Sequence, residues 1–312
     1  MLAHGPVAAA TARAAHPASF SFDIEDWYHS ELIPERDREA AGAASVVETG
    51  TTAILDLLRT HAIRATFFVL GDVARAHPAL VRRIVDDGHE LGCHGMDHRP
   101  LWKLDRATLR TQLAEFRRIV EGILGRFPVI GFRAPCFSLD RSTAWALDVL
   151  GDAGYLYDSS VFPARVKMYG VAQAPVTIYR PDPRDIARED RAASIVEFPV
   201  AVGRCGPVRL PVAGGFYLRA LPFLVSRTVL DLIHRRRPFA LYLHPREWTP
   251  EPGRLRMGLV NSFISYTNLA SVPRKLERLA RRYPFLPMRE VLVQRGDIPA
   301  SAAAANRGAR RV

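Results

Sequence analysis

Ser19-Phe20-Ser21-Phe22-Asp23-Ile24-Glu25-Asp26-Trp27 is a short aromatic run that ends in three carboxylates within four residues. Such a run, bounded by polar residues, reads as a β-strand. From here to about Tyr157 one pattern repeats: a short β-branched or aromatic run, a loop, then a longer stretch of helical periodicity. The candidate strands are Phe20 to Ile24, Ala65 to Leu70, Glu90 to His94, Val129 to Ala134 and Tyr155 to Ser159. The candidate helices are Glu48 to Thr60, Val73 to Asp87, Arg106 to Leu124 and Arg141 to Asp152, several of them stopped by glycine. This alternation implies parallel strands joined by helices, an α/β fold.

Between Phe162 and Ala193 the pattern fails, because Pro163, Pro175, Pro181 and Pro183 sit among charged and aromatic residues. A long irregular insertion of this kind usually forms a rim. Regular elements are expected again at Ile195 to Val200 (strand), Leu221 to His234 (helix), Phe239 to Leu243 (strand), Val272 to Arg282 (helix) and Glu290 to Val293 (strand). No break in composition resembles a domain linker. The expected organisation is a disordered lead-in over 1–18, one catalytic domain over 19–297 and a disordered basic tail over 298–312.

The chain has 312 residues, 48% of them hydrophobic, enough to bury a large core. Three cysteines, Cys93, Cys136 and Cys205, form no C-x-x-C pair, so neither a disulfide framework nor a thiolate metal site is indicated. The net charge of +11 would attract anionic partners without choosing among them. No helix-turn-helix, zinc-finger or RNA-binding signature is visible, so a nucleic-acid partner is not expected. The best candidate for a membrane span, Phe223 to Ile233, is short and broken by Ser226, Arg227 and Asp231. The first residues lack the charged start and continuous apolar stretch of a secretory signal. The expectation is a cytoplasmic protein that could work at the inner membrane face, with its oligomeric state open.

In α/β barrels functional side chains collect at the C-terminal ends of strands. Asp23, Glu25 and Asp26 end the first strand, and their mutual repulsion calls for a metal, an arginine or full solvation between them. The third strand ends in Cys93-His94-Gly95-Met96-Asp97-His98, two imidazoles four residues apart that, with a carboxylate, make a His₂-carboxylate metal site. Arg133, beside Pro135 at the end of the fourth strand, could orient a carboxylate through a forked hydrogen bond. The fifth strand ends in Tyr157-Asp158-Ser159-Ser160 and the late one in Leu243-His244-Pro245.

Taken in this order, these residues resemble the five motifs of the polysaccharide deacetylase family, also called the NodB-homology family or carbohydrate esterase family 4, over roughly Phe20 to Pro245. The stretch from Phe22 to His29 is similar to deacetylases associated with exopolysaccharide and exosortase gene clusters. The resemblance implies a distorted (β/α) barrel with fewer than eight strands, and a hydrolase that removes N-acetyl groups from an amino-sugar polysaccharide. It further implies Asp23 as general base, His244 as proton donor to the leaving amine, Arg133 as the partner of Asp23, and Asp158 as a group that shapes the site. Asp26, His94 and His98 would hold a divalent metal, typically Zn²⁺, with Co²⁺, Ni²⁺, Fe²⁺ or Mn²⁺ as alternatives. In the family the two aspartates are adjacent, whereas Ile24 and Glu25 separate them here, so Glu25 rivals Asp26 for the metal. Gly95 stands where the family usually has a hydroxyl residue.

Trp27, Tyr28, Phe137 and Trp248 stand beside these motifs and offer rings that could stack on the apolar faces of sugars. Pro135 and Tyr217, the latter within Gly214-Gly215-Phe216-Tyr217, complete the expected substrate-binding set. Two other readings use the same residues: an amidase that opens a cyclic amide or ureide, and a polysaccharide-binding protein without catalysis.

Overall fold

The computed structural model describes residues 16–31, 33, 45–249 and 258–302. The opening run forms β1 (Ala18–Ile24), whose side chains alternate between two faces. Ala18, Phe20, Phe22 and Ile24 join the main apolar core, while Ser21 and Asp23 point the other way, to Arg133. The chain then adds β2 (Thr66–Val69), β3 (Glu90–Cys93), β4 (Gly131–Phe132), β5 (Tyr157–Asp158), β6 (Pro181–Asp182) and β7 (Asp185–Glu189). It continues with β8 (Val196–Glu197), β9 (Val202–Cys205), β10 (Val208–Pro211) and β11 (Phe239–Leu243). Seven of these make one sheet in the order β11-β1-β2-β3-β4-β5-β8, with every pairing parallel.

The sheet curls until its two edges meet. Val200, just beyond β8, bridges Ala240 of β11, and Ala201 N–H donates to the Ala240 carbonyl at 2.8 Å. The result is the distorted (β/α) barrel that the sequence implied, closed on seven strands.

Ten helices accompany the strands among the described residues: α1 (Val47–Thr60), α2 (Gly71–Ala76), α3 (Pro78–Asp86), α4 (Arg106–Leu124), α5 (Ala146–Asp152), α6 (Gly215–Ala220), α7 (Phe223–His234), α8 (Leu259–Tyr266), α9 (Val272–Ala280) and α10 (Met288–Arg295). The expected helix at 73–87 is two helices, because Pro78 cannot continue the first and instead starts the second. The irregular stretch at 162–193 contains the short antiparallel pair β6-β7. The hairpin β9-β10 and the helices α6 and α8 had no clear sequence signal.

One expected element is wrong in kind. Glu290 to Val293 lies inside α10, not in a strand. A four-residue apolar run does not separate strand from helix by periodicity. Here the flanks decide, since Pro287 occupies the N-cap and Gly296, with φ 77°, the left-handed C-cap. α10 plugs one end of the barrel. Met288, Val291 and Leu292 pack with Phe68, Tyr157, Val196, Phe198 and Ala240. Its first two N–H groups find acceptors on the strands: Met288 N–H donates to Thr66 Oγ1 at 2.9 Å, and Arg289 N–H to Glu90 Oε2 at 3.0 Å. Glu90 also accepts from Thr66 Oγ1 at 2.7 Å and from the Tyr157 hydroxyl at 2.9 Å. The fully buried carboxylate thus joins β2, β3, β5 and the positive end of α10.

The lead-in expected over 1–18 lies outside the described residues up to residue 15, and Ala18 already belongs to β1. Of the expected tail, 303–312 lies outside the described residues, whereas Ile298 and Ala302 are buried beside α10. Because Glu90 satisfies three buried donors at once, Glu90→Ala is expected to lower stability by about 3 kcal/mol in equilibrium urea unfolding. An unchanged midpoint would contradict the role given to this carboxylate.

Candidate active site

Arg133 follows β4 and is wholly buried. A guanidinium cannot shed its charge, so burial demands a full set of acceptors. It donates from Nη1 to Asp23 Oδ1 at 2.7 Å and to Ser21 Oγ at 2.9 Å. It also donates from Nη2 to Ser159 Oγ at 2.9 Å and from Nε to the Ser159 carbonyl at 3.1 Å. The ring of Phe68 lies 4.3 Å from its central carbon. The expected fork onto one carboxylate is not what forms: a single nitrogen reaches Asp23, and the others tie β1 to the segment after β5.

Above this pair lies a cluster of Glu25, His94 and His98, whose candidate ligand atoms fall within 4.8 Å of one another. Glu25 Oε2 lies 2.5 Å from His98 Nε2 and 3.6 Å from His94 Nε2. His94 Nδ1 is held by the Arg133 carbonyl at 2.8 Å, which fixes the ring and leaves Nε2 facing the cluster. All three side chains are buried. Burial alone would favour the neutral acid of Glu25, but the charge of His98 and hydrogen bonds from both imidazoles overcome it and hold the carboxyl well below its ordinary range. Burial likewise opposes a charge on His98, yet Glu25 wins and raises the imidazole above its usual value.

The carboxylate in this cluster is Glu25, not Asp26. Asp26 turns away, and its Oδ1 accepts from Trp27 N–H at 3.1 Å and Val46 N–H at 3.0 Å, while Asp26 N–H donates to His29 Nδ1 at 2.9 Å. It is a capping residue that fastens the turn after β1 to the start of α1. Glu25 is two residues beyond Asp23, so strand alternation puts both on the same side, whereas Asp26 falls on the other.

His244 follows β11. Its Nε2 lies 3.8 Å from Asp23 Oδ2 and 3.8 Å from Glu25 Oε1, and the ring remains partly exposed. The side chain accepts from the Glu247 backbone N–H, while Glu247 Oε2 accepts from His244 N–H at 3.1 Å. Gly215 passes so close to Glu247 that a Cβ there would meet its carboxylate at 1.4 Å, so this position needs a glycine for the close approach to Glu247.

The cleft is walled by Cys136, Phe137, Met168, Tyr169, Phe216 and Tyr242. His98, Cys136 and Phe137 all have positive φ, at 61°, 57° and 47°. Three left-handed non-glycine residues around one cleft mark backbone strain concentrated at this site. Gly95, with φ 83°, takes the same region without strain, which accounts for its departure from the usual hydroxyl residue.

Of the expected substrate-binding residues only Phe137 lines the cleft. Trp27 is buried against Ile33 and Val46, because its turn folds back under the Asp26 cap. Pro135 is buried behind the cleft, and Tyr217 lies behind Phe216, stacked on Phe162. Tyr28 packs on Trp27 and His29, and Trp248 meets the edge of Phe22.

Asp158 does not line the cleft either. It accepts from Ser160 Oγ at 2.5 Å and Ser160 N–H at 3.0 Å, and Ser160 Oγ accepts from Ala134 N–H at 2.7 Å. Glu197 accepts beside it from Val161 N–H at 3.1 Å. Burial, and for Glu197 also the nearby charge of Asp158, raise both carboxyls above their usual range, so this pair holds the cleft wall from behind. Glu197, Met168 and Tyr169 carried no sequence signal, and Phe216 stood only as part of the glycine-pair stretch.

Residues 41–157 match the family model described as polysaccharide deacetylase, and residues 159–293 match a domain of unknown function, DUF3473. A chitooligosaccharide deacetylase from Rhizobium leguminosarum bv. trifolii is 32% identical over 160 residues, covering 51% of this chain and 63% of that protein. The chain spans between 20% and 63% of the length of such curated relatives. Among solved structures, a putative polysaccharide deacetylase from Mycobacterium smegmatis superposes with a TM-score of 0.61 at 19% identity, over 94% of each chain. An allantoinase superposes at 0.57 and 16% identity over 88% of each, so the fold is shared by both. His94, His98 and Arg133 fall in the first matched segment and His244 in the second, while one sheet takes strands from both. Residues 41–157 are thus similar to the polysaccharide deacetylase family over part of the barrel, and the segment matched to a domain of unknown function supplies the strands that complete it.

Proposed function

We propose that this protein is a divalent-metal-dependent hydrolase that removes N-acetyl groups from an amino-sugar polysaccharide or oligosaccharide. The observation that carries the reading is the convergence in one cleft of a His₂-carboxylate cluster, an arginine-held carboxylate and a partly exposed histidine. The donor set of Glu25, His94 and His98 suits zinc or a neighbouring transition ion, with Glu25 Oε2 facing both Nε2 atoms and the His94 ring fixed through its other nitrogen. A cation held there would polarise the acetamide carbonyl and acidify the attacking water.

The chain's own groups do the rest. Asp23, oriented by Arg133, accepts a proton from the attacking water as the new C–O bond forms. His244 Nε2, 3.8 Å from Asp23 Oδ2, then passes that proton on to the amide nitrogen as the C–N bond breaks, releasing acetate and the free amine and returning Asp23 to its starting form. The aromatic cleft wall suits the apolar C–H faces of a sugar. An exopolysaccharide as substrate and a cytoplasmic setting rest on the Phe22 to His29 stretch and the character of the first residues.

The test is acetate release from an N-acetylglucosamine oligomer by the purified protein, with and without added zinc or cobalt. Metal-dependent release that falls at least about 10³-fold in His94→Ala is expected. Release independent of metal, or ring opening of allantoin in place of acetate release, would overturn the reading. Glu25→Gln is expected to lower metal affinity by at least about tenfold in isothermal titration, whereas Asp26→Asn should leave affinity within about threefold and lower stability by about 1 kcal/mol. The opposite pattern would return the ligand role to Asp26. Arg133→Met strips Asp23 of its buried counter-charge, so a stability loss of about 3–5 kcal/mol is expected by urea unfolding. A loss below about 1 kcal/mol would show that the pair does not hold the site.

A further inference from the structure

Among the described residues, six of the large apolar side chains that stand exposed lie on just two helices: Leu224, Val225 and Leu232 on α7, and Leu259, Val260 and Phe263 on α8. The α8 residues are exposed by 91%, 60% and 57%. Isolated exposed apolar residues are ordinary, but a run along one helix is not. The two helices are neighbours through α6. Arg219 of α6 donates to the carbonyls of Ile264, Ser265 and Thr267 at the end of α8, and α6 passes through Leu221 and Pro222 directly into α7. The apolar strip also reaches the cleft, because Ile264 lines it and Phe263 lies 6.0 Å from the cleft residue Phe216.

Charge is distributed just as unevenly. Residues 201–312 hold 20 of the chain's 43 lysines and arginines but only 6 of its 32 aspartates and glutamates, so the first 200 residues are close to neutral and slightly acidic. On α7 the exposed apolar residues run directly into exposed Arg235 and Arg236. Aliphatic side chains in water next to arginines suit an acyl layer beneath anionic headgroups. They suit nucleic acid poorly, since leucine and valine offer a phosphate backbone nothing.

We infer that the outer faces of α7 and α8 dock on an anionic lipid bilayer, so that the cleft opens at the membrane surface. Among the described residues no helix is long and apolar enough to cross a membrane, and the contact inferred is an interfacial one. The inference does not depend on the reaction proposed above.

The test is co-sedimentation of the full chain with vesicles of phosphatidylcholine, with and without about a third phosphatidylglycerol, at low and at 0.5 M salt. Binding is expected only to the anionic vesicles, with a loss of at least about fivefold in high salt. A similar loss is expected in two variants, Leu259→Ser/Val260→Ser and Arg235→Glu/Arg236→Glu. Circular dichroism should match the parent, and acetate release from a soluble oligomer, where present, should be unchanged. Equal binding to both vesicle types, no binding, or anionic binding insensitive to Leu259→Ser/Val260→Ser in a folded protein would overturn the inference. Concentration-dependent dimerisation abolished by the same variant would identify a second copy, not a membrane, as the occupant.

Discussion

A permanently charged guanidinium buried inside a barrel is the constraint on which the site depends. Arg133 must be given acceptors by whatever surrounds it, and each acceptor it takes ties down a different strand end: Ser21 and Asp23 on β1, Ser159 after β5. Its own carbonyl fixes the His94 ring. One residue thus aligns the Asp23 carboxylate, one imidazole of the Glu25, His94 and His98 cluster and the rim that carries the cleft wall. Stability and chemistry are coupled there, because removing the cation leaves Asp23 buried without its counter-charge.

Below this level the barrel is closed by an unusual stopper. α10 aims its positive end at the buried Glu90 and plugs the bottom of the barrel, while the open end holds the cluster of carboxylates and histidines. Both the plug and two of the seven strands come from the segment matched to the domain of unknown function, as do Met168, Tyr169, Phe216 and His244 of the cleft. That segment is part of the barrel and of the cleft, not an appendage to them.

Much of this was legible in the sequence because the site lies at strand ends. The parallel strands, the helix at 106–124 and the strand at 239–243 were placed by periodicity, and His94, His98, Arg133 and His244 by their positions after apolar runs. What failed had local causes. Val291-Leu292-Val293 reads as strand or helix until its proline and glycine flanks are weighed. Asp26 and Glu25 were separable only by strand alternation past Asp23. Trp27 looked like a sugar platform because exposure is not encoded in a single aromatic, and it is buried by the cap that Asp26 provides. Glu197 was invisible, since its role depends on β8 lying beside β5, a pairing of residues far apart in sequence.

The central claim is that Glu25, His94 and His98 form the metal site. The most direct measurement is a crystal structure of the zinc-loaded protein with data collected on both sides of the zinc absorption edge. The account predicts one anomalous peak within bonding distance of His94 Nε2, His98 Nε2 and a Glu25 carboxylate oxygen, with Asp26 still capping the turn. A peak ligated by Asp26 with Glu25 turned away, or no peak at this cluster in a folded protein, would contradict it.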